Sequence, residues 1–143
     1  MNGMTLIVKT ITRLILGFII VFAVSIVFYG HITPGGGFAG GVMLACVFIL
    51  LVLAFGKDTA FRIIGEKALS AWDCIGALGF MGIALFGFTQ GVFFKNFLTS
   101  GEPLRLISGG TIMWSNIAIG IKVSAGLFAV FVALALFRIN RER

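Results

Sequence analysis

Four long apolar runs constrain this chain more than any other feature. They are Leu14–Tyr29 (LILGFIIVFAVSIVFY), Phe38–Phe55, Cys74–Phe94 and Ile117–Phe137, the last interrupted by Lys122. An α-helix rises about 1.5 Å per residue, so about 20 apolar residues cross a hydrocarbon core roughly 30 Å thick. The first two runs are slightly short and should recruit flanking residues, such as Thr10 to Arg13 before the first. That first run ends in a glycine motif instead of a small-residue cleavage site, so it is expected to stay as a membrane helix. The prediction is an all-α polytopic membrane protein with four transmembrane helices, forming a single integral membrane domain over residues 1–143.

Composition supports this. Apolar residues make up 59% of the chain and charged residues 11%, with a mean hydropathy of +1.14. A soluble domain carries about 25% charged and roughly 45–50% apolar residues. The net charge of +6 does not indicate nucleic acid, because the lysines and arginines lie mostly at the ends of apolar runs, where membrane proteins place them. The N-terminus, the middle loop and the C-terminus together hold eight Lys and Arg: Lys9, Arg13, Lys57, Arg62, Lys67, Arg138, Arg141 and Arg143. The opposite side holds two, Lys95 and Arg105. The positive-inside rule then predicts that both termini and the middle loop are cytoplasmic. The middle loop, GKDTAFRIIGEKALSAWD, has Phe61, Ile64, Ala68 and Leu69 at helical spacing and suggests an interfacial helix. The third loop, Lys95 to Asn116, is long and holds SGEPLRLISGGT, a stretch with turn signals.

The connection between the first two runs, YGHITPGGGFAGGVMLA, is the most unusual stretch. Five glycines fall within residues 35–41, after a proline and the only histidine. Non-helical backbone at membrane depth is tolerated only where protein or a water-filled cavity covers it. Pro34 stops the first helix, and Gly35, Gly36 and Gly37 permit a tight turn at the outer face, with Phe38 beside it. Gly36 and Gly40 are four apart, as are Gly37 and Gly41, which gives a smooth surface for a close helix neighbour. Two readings stand: a turn with close packing, or a direct role in an ion or water path. His31 could relay protons near neutral pH or bond a carbonyl at a helix end. Thr33 and Ser25 could offer oxygens to a sodium ion, although hydroxyls in spans usually bond their own backbone.

Lys122 is the sharpest single residue. A lysine in an apolar span is costly, and such residues usually serve a function. Lys122, Gly126, Ala129 and Ala133 fall within an arc of about 60° on a helix, a stripe that lets a partner helix approach and aims the lysine at protein. The competing reading has Lys122 snorkelling to the outer interface. A helix that begins near Thr111 places the lysine deeper. Gly76, Gly79, Gly87 and Gly91 make a further small-residue face on the third run. Asp73 precedes that run, where a carboxylate suits a helix N-terminus. Trp72 and Trp114 suit membrane interfaces. Cys46 and Cys74 lack metal-ligand spacing and read as buried free thiols. No nucleophile–base pair, paired carboxylates or phosphate loop is present, so neither catalysis nor a cofactor or metal is expected.

The stretch GHITPGGGFAGG, following one span and opening the next, resembles the signature of the MnhB/MrpB family, small membrane subunits of multisubunit cation/proton antiporters. NIAIGIKVSAGLF, residues 116–128, is similar to that family's last helix, lysine included. The resemblance implies a multi-pass subunit in a prokaryotic cell membrane. Its partners would be other antiporter-module subunits, and the transported ions Na+ and H+. It also implies an alternative, since related subunits serve the sodium-translocating modules of membrane-bound hydrogenases and sulfur-reducing respiratory complexes. An independent homo-oligomeric channel is a further reading that the glycine faces permit.

Overall fold

The computed structural model describes residues 4–56, 65–93, 95, 96, 98 and 109–141. Its elements are helical: α1 (Leu6–Phe28), α2 (Gly36–Phe55), α3 (Glu66–Phe86), a short 3-10 turn (Gly87–Gln90) and α4 (Thr111–Arg141). Among the described residues, four helices are long and apolar enough to cross a membrane, over Leu6–Phe28, Gly36–Phe55, Lys67–Thr89 and Thr111–Ala135. Each of the four apolar runs therefore lies largely within one helix, but the boundaries move. The first and last helices begin eight and six residues before their runs, because Thr, Ser, Asn and Lys residues close backbone hydrogen bonds as readily as apolar ones.

The third helix departs most from expectation. It begins at Glu66, so Ala68 and Leu69 belong to the spanning helix itself and not to a separate interfacial one. The remainder of that proposed helix, with Phe61 and Ile64, lies outside the described residues, as does Arg105. α3 also ends at Phe86, so Gly87 and Gly91 do not continue its glycine face. Gly91 has φ +81° and sits in a turn.

The order of packing is α1 on α2, α2 on α4, and α4 on α3. α1 and α2 are antiparallel. A Cβ built on Gly40 would collide with Val27 and lie 2.9 Å from the Ala23 carbonyl oxygen. At the other end the Met4 amide donates to the Ala54 carbonyl at 3.1 Å, and the Arg13 guanidinium stacks 5.2 Å from the Phe55 ring centre. α2 and α4 run parallel, matched at Gly37 with Asn116, Gly41 with Gly120, and Phe48 with Phe128, whose ring centres are 5.6 Å apart. Phe128 is fully buried. α3 is antiparallel to α4, matched at Gly79 with Ala118, Gly76 with Lys122, and Asp73 with Gly126. α4 is thus the central helix, held between α2 and α3.

Buried positions in this chain are mostly small: Ala23, Ala45, Ala54, Ala84, Ala118 and Ala125. Large apolar residues such as Phe18, Val21, Phe38 and Leu78 point outward. Lipid is as apolar as leucine, so a membrane bundle gains little by burying large side chains and more by close backbone packing. Cys46 and Cys74 follow this outward pattern. Both thiols are exposed, which corrects the expectation that they are buried.

Candidate intramembrane ion-pair site

The turn between α1 and α2 occupies residues 29–35. Gly35 has φ +128° and Gly36 φ +61°, backbone geometry that side-chain-bearing residues rarely adopt. α2 starts there with no local side chain capping it. The cap comes instead from α4: the Gly37 amide donates to Asn116 Oδ1 at 3.3 Å, satisfying one of the orphan donors of a helix start. The contact is so close that a Cβ on Gly37 would overlap the Asn116 carbonyl, and one on Gly30 would lie 2.7 Å from Asn116 Nδ2. Asn116 is a key side chain of this region. Its only signal in the sequence is a polar residue at the head of an apolar run.

The other residues of the turn are placed plainly. Pro34 and Phe38 are exposed. The Thr33 hydroxyl donates to the Tyr29 carbonyl at 3.0 Å, one turn back. His31 is half-buried, its ring packed so close to Gly109 that a Cβ there would lie 2.8 Å from Cγ. Ser25 borders a shallow groove along α1 with Leu14, Gly17, Phe18, Val21 and Phe22. Gly40 faces α1, whereas Gly36, Gly37 and Gly41 face α4, so Gly37 and Gly41 share one neighbour while Gly36 and Gly40 do not. At the head of α4, Asn96 Oδ1 accepts from the Thr111 amide at 3.2 Å.

Lys122 lies elsewhere. It is eleven residues into α4, about 16 Å along the axis from Thr111, well away from His31 and Thr33. The structure does not bring these three polar residues together. Lys122 meets α3. Its Nζ donates to both oxygens of Asp73, each at 2.7 Å. Asp73 is not an N-terminal cap, because it is the eighth residue of α3. The reach of Lys122 is away from the end that holds Thr111, since Asp73 lies level with Gly126, one turn further along α4. Snorkelling toward the Thr111 end is therefore not what the lysine does.

Gly76 makes the pair possible. A Cβ on Gly76 would lie 2.7 Å from the Lys122 amide nitrogen, so α3 crosses α4 at backbone contact there. Asp73 lies over Gly126, where a Cβ would stand 3.6 Å from Asp73 Oδ1, at ordinary contact distance. The pair is one-sided: the side chains are 45% exposed for Lys122 and 35% for Asp73. The sequence reading set Asp73 at a helix N-terminus and missed its pairing with Lys122. The signal was available, because a helix begun at Glu66 places Asp73 two turns inside it.

Fold and site together define a polytopic helical membrane subunit that carries an ion pair within its spans. The chain belongs to the family of domains related to the MnhB subunit of the Na+/H+ antiporter, whose profile matches residues 7–129. It is 37% identical over 124 residues to an uncharacterized protein of Methanocaldococcus jannaschii, covering 80% of this chain and 46% of that protein. A putative antiporter subunit, mnhB2 of Staphylococcus aureus, is 40% identical over 52 residues, which is 36% of this chain and 37% of the relative. Among solved structures, a chain of the membrane-bound sulfane sulfur reductase, an archaeal respiratory membrane complex, superimposes with a TM-score of 0.76 at 29% identity. That match covers 91% of this chain and 60% of the other. The chain thus spans less than two thirds of the length of each of these proteins.

Proposed function

We propose that this chain is a non-catalytic membrane subunit of a multisubunit cation/proton antiporter module in a prokaryotic cell membrane. It supports assembly and contributes charged groups to an ion path. The observation that carries this reading is the Asp73–Lys122 pair within the spans of a chain of the MnhB-related family. Ionisable groups are kept inside membranes where ions or protons must pass, or where they pair with one another. One pair is too few for a complete route, which needs several relays, so neighbouring subunits supply the rest. In this reading both termini are cytoplasmic and the turn of residues 29–35 lies at the outer face. His31 and Thr33 line the outer part of the route. Gly35, Gly36, Gly37, Gly40 and Gly41 hold the turn and the α1–α2–α4 contacts, with Pro34 and Phe38 shaping its rim. Na+ and H+ are the transported ions.

A second reading places the same module in a redox-driven respiratory complex. It is favoured by the structural match to a chain of a sulfane sulfur reductase complex across most of this chain. Mass spectrometry of whatever co-purifies with this chain in mild detergent separates the two. Antiporter-type membrane subunits alone support the first reading, and the same subunits with metal-cluster proteins support the second. The ion-path claim has its own test. Lys122→Ala should abolish sodium-dependent proton exchange, measured in membrane vesicles per assembled complex, and unchanged exchange in an assembled complex would refute the claim.

A further inference from the structure

Among the described residues, α3 and α4 carry a charged pair deep in their spans that lipid cannot cover. The Asp73 and Lys122 side chains are 35% and 45% exposed on the surface of the single chain. Asp73 stands six residues inside the span Lys67–Thr89, about 9 Å from its end. Lys122 lies near the middle of the span Thr111–Ala135. A lysine ammonium has three donors, and two of them are given to Asp73. The carboxylate in turn keeps lone pairs beyond the two already engaged. Donors and acceptors left open at this depth cost several kcal/mol each when they face hydrocarbon.

We propose that the α3–α4 face bearing this pair is the seat of a transmembrane helix from another subunit, which presents a neutral amide or hydroxyl side chain to Asp73 and Lys122. The proposal rests on the multisubunit reading above and identifies the surface through which that assembly is made. The pair is itself neutral, so a third charge brought against it would stand unbalanced. A side chain that both donates and accepts completes the ammonium and the carboxylate together. The neighbouring surface suits a helix. Ala129 and Ala133 lie on the same stripe as Lys122, beyond Gly126, and both are exposed. Such small residues let another backbone come close. The α2 side of α4 is filled by Gly37, Gly41 and Phe48, so it offers no comparable seat.

The test uses the intact complex in its native membrane, with a photo-crosslinking amino acid at Ala129. The expected result is an adduct to a different co-purifying membrane polypeptide, the attachment point falling in a transmembrane segment beside an Asn, Gln, Ser or Thr. Adducts to lipid alone, in a complex whose other subunits are retained, would overturn this inference and leave the multisubunit reading standing. So would an adduct to a second copy of this chain. Labelling of Ala129→Cys by a membrane-impermeant maleimide in the assembled complex would also overturn it, because the face would then border water. Purification of this chain without any other polypeptide would overturn both. A second measurement addresses the pair directly. Asp73→Asn should lower the retained partner roughly ten-fold, the scale of a polar contact between membrane helices, and adding Lys122→Gln should restore most of it.

Discussion

α4 has two main neighbours among the described helices, and the contacts it makes with them are unlike. On the α2 side the helices run parallel and touch through glycine and backbone: Gly37 on Asn116, Gly41 on Gly120 and Val123, then Phe48 on Phe128. That contact is sealed. On the α3 side the helices are antiparallel and touch at backbone distance only around Gly76, after which a carboxylate and an ammonium occupy the surface. That contact is open. The first is built to hold one geometry, since backbone against backbone leaves nothing able to give way. The second holds charge where another molecule can reach it. The difference separates a structural half of this chain from a half suited to interaction.

The largest effect should come from breaking the sealed side. Gly37→Leu puts a side chain into the space of the Asn116 carbonyl, and neither helix can move without opening the Gly41–Gly120 contact. The expected loss is above about 3 kcal/mol, beyond the usual range for overpacking because the opposing atoms are backbone. Unfolding of the purified chain in mixed detergent micelles, or simple loss of the membrane-inserted protein, measures it. Stability equal to the parent would mean that the α2–α4 contact is not as close as described.

The open side should respond more weakly and in a coupled way. Lys122→Ala leaves Asp73 without its partner inside the spans. A fully buried pair broken this way costs about 3–5 kcal/mol. Here the side chains are 45% and 35% exposed, so the freed Asp73 carboxylate, about 9 Å from the end of its span, can turn toward water at the micelle surface, and the expected loss is about 1–2 kcal/mol. The double substitution Asp73→Asn with Lys122→Met should be more stable than either single one, and a double-mutant cycle in detergent reads that coupling. Strict additivity would show that the pair contributes nothing to the α3–α4 contact.

The two halves also differed in how legible they were. Four spans followed from hydrophobicity alone, because hydrocarbon leaves a backbone few options. The glycines near Pro34 announced a turn and close packing, since little else explains five glycines in seven residues. The pairing of Gly37 with Asn116 did not follow, because sequence pattern cannot say which of two glycine faces meets which helix. Asp73 was hidden for a simpler reason. Counting apolar residues places a helix boundary at the first charge, and a charge that is neutralised from another helix sits past that boundary. Lys122 advertised itself for the same reason that Asp73 did not: it interrupts an apolar run, whereas Asp73 adjoins one.

The crossing point of α3 on α4 sharpens the comparison with a smaller side chain. Gly76→Ala places a methyl group 2.7 Å from the Lys122 amide and should cost about 2–3 kcal/mol, the upper range of overpacking, because the opposing atoms are backbone. The same change at Gly126 should have the opposite sign. Its methyl group would stand 3.6 Å from Asp73 Oδ1, at ordinary contact distance, with nothing else among the described residues within 4 Å. Alanine is favoured over glycine within a helix by up to about 1 kcal/mol, so Gly126→Ala should leave the isolated chain equal to the parent or up to about 1 kcal/mol more stable. Unfolding in mixed micelles gives the sign. A clear destabilisation would mean that the carboxylate sits closer to α4 than 3.6 Å allows, and that the open side is tighter than its exposure suggests. A neutral result in the isolated chain, joined to weaker assembly in the complex, would place the pressure on Gly126 outside this chain, where a second helix meets it.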